Sequence, residues 1–316
     1  MDPIWTKRPE RPRRVGLLLF PRFSNLCLAN CLEPMRAANA LSGGGAYAWQ
    51  VLTPGGGTVH SSSDLPVLGE DAGAAGRLDR LVILSSYDHL DHDTPATRAL
   101  LRALARRSAE VAGFDTAPWL MAAAGLLDGR RATIHWDVLD AFAERFHRVE
   151  VERARVIADG PRVTCAGALS ALDDAFAQIG RDLGQAAVLE IEGLFLRDEA
   201  ASAARAAPGP RDALVRRALK AMRESLDQPL ALPELARALG CQPRTLDRRC
   251  RAALGASPGT VARHLRLAHA RQMVETGTAP VSEIAALCGY ETATALTRAF
   301  RRRYGVAPTE LRRARG

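Results

Sequence analysis

Lysine is nearly missing from this chain. Only Lys7 and Lys220 occur among 316 residues, so arginine supplies almost all of the positive charge. Long apolar runs are missing too: no stretch of about 18 uncharged apolar residues is present, so no membrane-spanning helix is expected. The six cysteines (27, 31, 165, 241, 250 and 288) form no CxxC pair and no cluster with histidine. That argues against a zinc site or a disulfide framework and for small buried hydrophobes in a reducing compartment. No metal or other cofactor is expected. Basic residues precede a short apolar run, VGLLLF, near the N-terminus, as in a secretory leader. The run stops at Pro21-Arg22, too short for a leader's apolar core, and reads better as a buried first strand. A cytoplasmic protein follows as the expectation.

What is present is unevenly distributed. Residues 211–316 carry 20 Lys and Arg against 9 Asp and Glu, a net charge of +11, while residues 1–210 carry a net charge of −3. A chain of this length can bury two cores. Residues 1–13, polar and rich in Pro and Arg, read as a disordered arm. Residues 14–197 alternate short apolar strands (15–20, 47–53, 81–84, 111–114) with helices (25–41, 95–107, 117–127, 169–183), the pattern of a mostly parallel sheet covered on both faces. Residues 198–211 (DEAASAARAAPGP and Arg211) lack large apolar side chains and read as a linker. Residues 212–316 read as helical throughout, with helices over 212–226 and 260–276 among them.

Two spaced copies of one pattern stand out in that basic segment. LPELARALGCQPRTLDRRC begins at Leu232 and VSEIAALCGYETATALTRAF at Val281. Each has a short apolar helix, a glycine (Gly240, Gly289) that allows the positive φ of a sharp turn, and a second helix bearing arginines. These are helix-turn-helix signatures, whose second helix can lie in a DNA major groove. On a helix starting near Thr292, the side chains of Thr294, Thr297 and Arg298 share one face and Leu296 and Phe300 the other. Base readout is therefore assigned to Thr294, Thr297 and Arg298, and phosphate contact to Arg301 and Arg302. In the first copy Arg244 and Arg248 face outwards with Thr245 beside them, while Leu246 faces in. The alternative for each arginine is a solvated surface.

Over about residues 212–315 the chain closely resembles the AraC/XylS family of transcription regulators, above all in GYETATALTRAFRRRYGVAP. The resemblance implies double-stranded promoter DNA and RNA polymerase as partners, and a long middle helix that joins the two units rigidly. The first unit departs from the family pattern, with Gln242 where a serine cap is usual and Cys250 where phenylalanine is usual. A weaker cap and looser packing are expected there.

The junction VAGFDTAPWL resembles the nucleophile elbow of the class I glutamine amidotransferase-like (PfpI-like) fold, a flavodoxin-like three-layer sandwich. In that fold's enzymes a cysteine sits at the turn; here the position is Asp115. Thiolate chemistry is therefore absent and no catalytic residue is assigned. The strings FSNLCLANCLEPMRAAN, AGLLDGRRATIHW and DGPRVTCAGALSALD extend the likeness to GlxA-like regulators over about residues 14–315. An aspartate at the elbow resembles the subgroup controlling catabolism of glycine betaine, carnitine and arginine. An anionic pocket favours a cation, and a tryptophan face accepts a quaternary ammonium. The expected effector is a small cationic or zwitterionic nitrogen metabolite bound by Asp115, Glu33, Asn39, His135, Trp119 and Trp136. Against this stand plainer roles: Asp115 as a helix cap, Trp119 as core, His135 and Trp136 as structural residues. The leading reading is a dimeric, effector-responsive activator. A residual hydrolase and a ligand-blind DNA-binding protein whose first half only dimerises are the alternatives.

Overall fold

The computed structural model describes residues 10–42, 45–195 and 212–313. The proposed linker 198–211 and most of the proposed N-terminal arm lie outside them. The chain divides into two compact units, Pro9–Gln178 and Ile179–Gly316.

Strands β1 (Arg13–Leu19), β2 (Tyr47–Thr53), β3 (Gly57–His60), β4 (Pro66–Asp71), β5 (Leu78–Ser85) and β6 (Ser108–Asp115) are interleaved with helices α1 (Asn25–Leu41) and α2 (Pro95–Arg107). Helix α3 (Ala117–Ala123), the short strands β7 (Arg131–Ala132) and β8 (Glu150–Val151) around α4 (Leu139–Arg145), and the hairpin β9 (Val156–Asp159) and β10 (Arg162–Cys165) follow. Helices α5 (Ala168–Leu183) and α6 (Gln185–Leu194) come next. The main sheet has the order β3-β4-β2-β1-β5-β6-β10-β9. All pairs from β4 to β10 are parallel, and antiparallel β3 and β9 close the two edges.

Successive strand side chains point to opposite faces, and the central strands are apolar on both. Leu18, Phe20, Leu81, Ile83 and Val111 join Leu101, Leu104, Trp119 and Phe142 in one core. Leu17, Leu19, Val82 and Leu84, equally buried, point to the other face. Arg80 shares the parity of Val82 and Leu84, and its buried guanidinium reaches Asp174 of α5 at 2.5 Å and Gln178 at 2.7 Å, pinning α5 to that face. The first unit is thus a three-layer α/β sandwich of the expected flavodoxin-like class.

Helix bounds expected at 25–41 and 95–107 agree with α1 and α2. The helix expected over 117–127 ends at Ala123, and the chain turns through Gly125 at φ +75°. The β3–β4 hairpin was not expected. Its strands are largely solvent-exposed, Leu68 to 75%, so they carry no regular apolar alternation to read.

The second unit is helical: α6, then α7 (Ala213–Glu224), α8 (Leu232–Ala238), α9 (Pro243–Leu254), α10 (Pro258–Thr276), α11 (Val281–Leu287), α12 (Ala293–Tyr304) and α13 (Pro308–Arg313). Two small cores form here. Val215, Leu219, Leu235, Leu246, Cys250 and Leu254 fill the first. Ile284, Cys288, Leu296, Ala299 and Phe300 fill the second. Helix α10 serves both, giving Val261 and Leu265 to the first and Leu267, Ala270 and Val274 to the second. One continuous helix shared by two cores is a stiff connection, as the middle helix was expected to be.

Candidate functional site

The second unit repeats itself. Helices α9 and α12 each have twelve residues and lie fifty positions apart, so Arg244, Leu246, Arg248, Cys250 and Gly255 correspond to Thr294, Leu296, Arg298, Phe300 and Gly305. Leu246, Cys250, Leu296 and Phe300 are fully buried. The opposite face of each helix is open: Arg244, Arg248, Thr294 and Arg298 are exposed, with Thr245 and Thr297 half-buried beside them. Fully burying side chains such as Leu296 and Phe300 stabilises by roughly 1.5–3 kcal/mol each, which fixes the outward face by fixing the inward one.

The turns are held from behind by arginines of the preceding helices. Arg217 of α7 donates to Leu239 O at 3.3 Å, and Arg266 of α10 donates to Gly289 O at 2.7 Å while its guanidinium lies 4.6 Å over the Tyr290 ring. These arginines are structural. So is Arg303, whose Nη2 donates to both carboxylate oxygens of Glu190 at 2.9 Å. Arg301 pairs with Glu310 at 3.0 Å, Arg249 with Asp212 and Arg251 with Asp247. Among the described residues the side chains of Arg244, Arg248, Arg298 and Arg302 make no ion pair or hydrogen bond, so four guanidinium groups are left facing water. Arginine's planar fork matches guanine edges and phosphate oxygens.

The N-termini of the two reading helices differ. Thr292 caps α12, its hydroxyl accepting from Ala295 N at 3.1 Å. Gln242 occupies the same place on α9 and makes no side-chain cap bond.

In the first unit the elbow is built by close approach of α3 to β6. An added Cβ on Gly113 would lie 2.4 Å from Met121 Sδ and 3.3 Å from Pro118 N, so the absence of a side chain there lets the helix settle closely on the strand. The chain turns at Asp115 with φ +65°, a left-handed conformation that costs a non-glycine residue of order 1–3 kcal/mol. Neighbours hold it: Thr116 N donates to Ser85 O at 3.0 Å, Thr116 Oγ1 donates to Ser86 O at 2.9 Å, and His135 N donates to Asp115 O at 3.0 Å. Strand order reverses between β1 and β5, and the carboxyl ends of strands at such a switch point form the crevice where ligands bind in open α/β sheets. Ser85, Ser86 and Asp115 stand at those ends.

Burial raises the Asp115 carboxyl above its ordinary range; a hydrogen bond from Ser86 and the charge of His135 oppose this, and Asp137 adds to it. Cys27 Sγ lies 3.9 Å from Asp115 Oδ2. Burial first, and the Asp115 charge second, push that thiol up to about 12, so it stays protonated at neutral pH. Ser86 Oγ also accepts from Ser24 N at 3.0 Å, tying the start of α1 to the site. Asp115 does not cap α3: the cap position is Thr116, and no α3 backbone N–H donates to the carboxylate. No arginine or lysine pairs with Asp115 among the described residues.

Of the expected effector residues, the structure brings Asp115 and His135 together. His135 Nδ1 accepts from Asp137 N at 3.3 Å. Trp119 is a core residue rather than a lining one, because its ring packs on Phe142 and Phe146 at 6.1 and 5.2 Å and against His89 at 5.2 Å. Asn39 clamps β2 instead, donating to Tyr47 O at 2.9 Å and accepting from Tyr47 N at 2.8 Å. Glu33 pairs with Arg36 one turn along α1. Trp136 is 48% exposed, and Arg153 already lies 5.0 Å over its ring. Sequence reasoning missed Cys27 and Ser86. Only the likeness of FSNLC to the family strings marked the first, and nothing marked the second.

A family profile described as a helix-turn-helix domain matches residues 235–314. The HTH-type transcriptional regulator GlxA of Rhizobium meliloti is 34% identical over 315 residues, covering 96% of this chain and 97% of that protein. CdhR of Pseudomonas aeruginosa, also an HTH-type transcriptional regulator, is 30% identical, covering 93% and 89%. Among solved structures, an AraC family transcriptional regulator from Pseudomonas putida matches with TM-score 0.52 at 22% identity, covering 58% of this chain and all of that one. A ThiJ/PfpI family protein from Pseudomonas syringae matches with TM-score 0.52 at 17% identity, covering 80% and 90%. These likenesses concern the fold. The named relatives and the helix-turn-helix profile define the class, an AraC-type, DNA-binding transcription regulator, whose first unit has a ThiJ/PfpI-like fold. Within that class the chain belongs to the GlxA-like family of HTH-type regulators.

Proposed function

We propose that this protein is a sequence-specific transcription activator controlled by a small cationic or zwitterionic nitrogen metabolite at Asp115. The observation that supports the effector reading is a half-buried carboxyl with no cationic partner among the described residues, held on a left-handed backbone where ligands bind in this type of sheet. Burying a carboxylate unpaired is costly, which raises the Asp115 carboxyl, and an ammonium group of a ligand would supply the missing charge. Binding then expels the proton, and affinity for a cation rises with pH through the native pKa of Asp115. His135 borders the site and can orient a second polar group of the ligand.

No catalysis is proposed. The elbow holds an aspartate where the fold's enzymes hold a cysteine, and the neighbouring Cys27 thiol is kept protonated. Thr294, Thr297 and Arg298 read base edges, Arg301 and Arg302 meet phosphate, and Arg244, Thr245 and Arg248 form the second contact. The sequence bounds of 14–197 and 212–316, joined by 198–211, are kept for the two domains, with helix α6 (Gln185–Leu194) packing in the second compact unit, Ile179–Gly316. Contact with RNA polymerase is carried over from the resemblance, and homodimerisation and cytoplasmic location are kept from the reading of the sequence.

Calorimetric titration with glycine betaine, carnitine, choline and arginine tests the effector reading. Heat with one of them, tighter at higher pH and lost in Asp115→Asn, is the expected result. Silence with all four sinks it. Asp115→Asn also raises the unfolding midpoint at neutral pH. The native pKa is raised, so ionised Asp115 costs stability above it, and the gain vanishes once pH falls below the unfolded value.

A further inference from the structure

Helix α6 follows α5 after a single residue, Gly184 at φ +91°, yet it packs within the DNA-reading unit. Two adjacent side chains of α6 reach the two reader cores separately. Leu189, 5% exposed, joins the first core with Val215, Leu246 and Cys250. Glu190, 5% exposed, meets the second reader: Arg303 Nη2 at the end of α12 donates to both of its oxygens at 2.9 Å, and His264 Nδ1 of α10 lies 3.4 Å from Oε1. Burial alone would push the Glu190 carboxyl up, but the hydrogen bond from His264 and the charge of Arg303 outweigh it and hold it below the usual range. The Arg303 guanidinium also lies 5.4 Å over the Tyr304 ring.

A carboxylate this buried is retained only when well paired, and such pairs are poor sources of net stability. Their best-attested use is to fix one geometry among several that an apolar contact would allow. Apolar contacts are non-directional, whereas Glu190 meets Arg303 Nη2 of α12 and His264 Nδ1 of α10 together, and two charge-assisted contacts from two helices set the direction of approach. Helix α10 already ties the two readers through its shared faces. A second tie from α6, apolar on one reader and ionic on the other, leaves the pair little freedom to rotate about α10.

We propose that Glu190 is a specificity-positioning residue: through Arg303 it sets the orientation of recognition helix α12 relative to α9, and so fixes the spacing between the two base blocks the protein reads. Glu190 touches no DNA. It acts on the register in which Thr294, Thr297 and Arg298 present themselves. The idea rests on the proposed docking of α9 and α12.

The test selects bound sequences from a random duplex DNA library with the full chain, and normalises each variant to its DNA-binding fraction. Arg298→Ala and Arg248→Ala first mark which base positions belong to α12 and to α9. The variants are then Glu190→Gln and the paired Glu190→Leu, Arg303→Leu, in which an apolar pair replaces the ionic one and the fold survives a loss of charge. The expected result is a broadened spacing between blocks and a preference at the α12 positions relaxed by roughly threefold to tenfold, a fraction of one base contact's discrimination. The α9 block stays as selective as before. Unchanged spacing in both variants overturns the proposal, as does relaxation equal at both blocks, the signature of simple destabilisation. If Arg298→Ala leaves every position as it was, the docking itself is wrong and the proposal falls with it.

Discussion

The two helix-turn-helix units share a skeleton and differ in finish. Each has a seven-residue first helix, a glycine at positive φ, a twelve-residue second helix and an arginine closing the turn from the helix before. The second unit adds a threonine cap, a buried Phe300 whose ring meets Tyr304 at 4.6 Å, and three consecutive arginines at its end. The first has an uncapped Gln242 and the smaller Cys250, with Ala252 and Ala253 where the second has Arg302 and Arg303. One chain thus carries a tightly specified reader and a plainer one on the same scaffold, so similar folds here do not imply similar contributions to DNA selection.

The glycines separate the two most sharply. Gly240 at φ +69° faces open space, whereas a Cβ on Gly289 at φ +67° would lie 2.7 Å from both Leu226 O and Pro229 Cδ and 3.0 Å from Asp227 O. Gly240→Ala pays only the backbone strain, about 1 kcal/mol. Gly289→Ala adds overpacking against carbonyl groups and should cost roughly 2–4 kcal/mol. Urea unfolding of the full-length variants measures both. Equal midpoints would show that the segment around Leu226 yields, and would erase this difference between the units.

DNA affinity is the next largest contrast. Arg298→Ala should lose about 1–3 kcal/mol on the selected operator and relax one base position. Arg248→Ala, at the matching place on the plainer reader, should lose less. Arg302→Ala should weaken all sequences alike and lower the salt slope by about 1. Fluorescence anisotropy across a salt series gives all three numbers. An Arg248→Ala loss as large as that of Arg298→Ala would make the readers equal partners.

Much of the second unit was legible in the sequence, because its glycines, arginines and apolar spacing are local signals that survive folding. The elbow was legible only through the resemblance of VAGFDTAPWL to the PfpI-like fold's strand-turn-helix junction; the part Gly113 plays in seating α3 was not read. The rest of the effector site was not. Trp119 stands close to the elbow in sequence and Asn39 lies on α1, yet one is buried in the core with Phe142 and the other clamps β2. Ser86 enters from just beyond the end of β5, 29 positions earlier. Glu190 drew no notice either, since its partners His264 and Arg303 lie far along the chain and periodicity says nothing about such pairs.

The caps give the smallest contrast and the cleanest one, because both residues are exposed and neither touches the other unit's core. Thr292→Ala removes the bond to Ala295 N and should cost about 1 kcal/mol, while Gln242→Ala removes no bond and should be nearly silent. Gln242→Ser runs the comparison backwards. It places a hydroxyl where α9 has no side-chain cap, Thr245 N donating only to Gln242 O at 3.0 Å, and should gain at most about 0.5 kcal/mol. Hydrogen exchange along α9 and α12 reads each helix separately, which a global unfolding curve cannot do in a chain of two compact units. Faster exchange confined to α12 in Thr292→Ala, with α9 slowed in Gln242→Ser, would make the cap a cause of the unequal stiffness. If α9 exchanges as slowly as α12 before any change, the difference between the readers lies in their contacts with DNA and not in the helices that carry them.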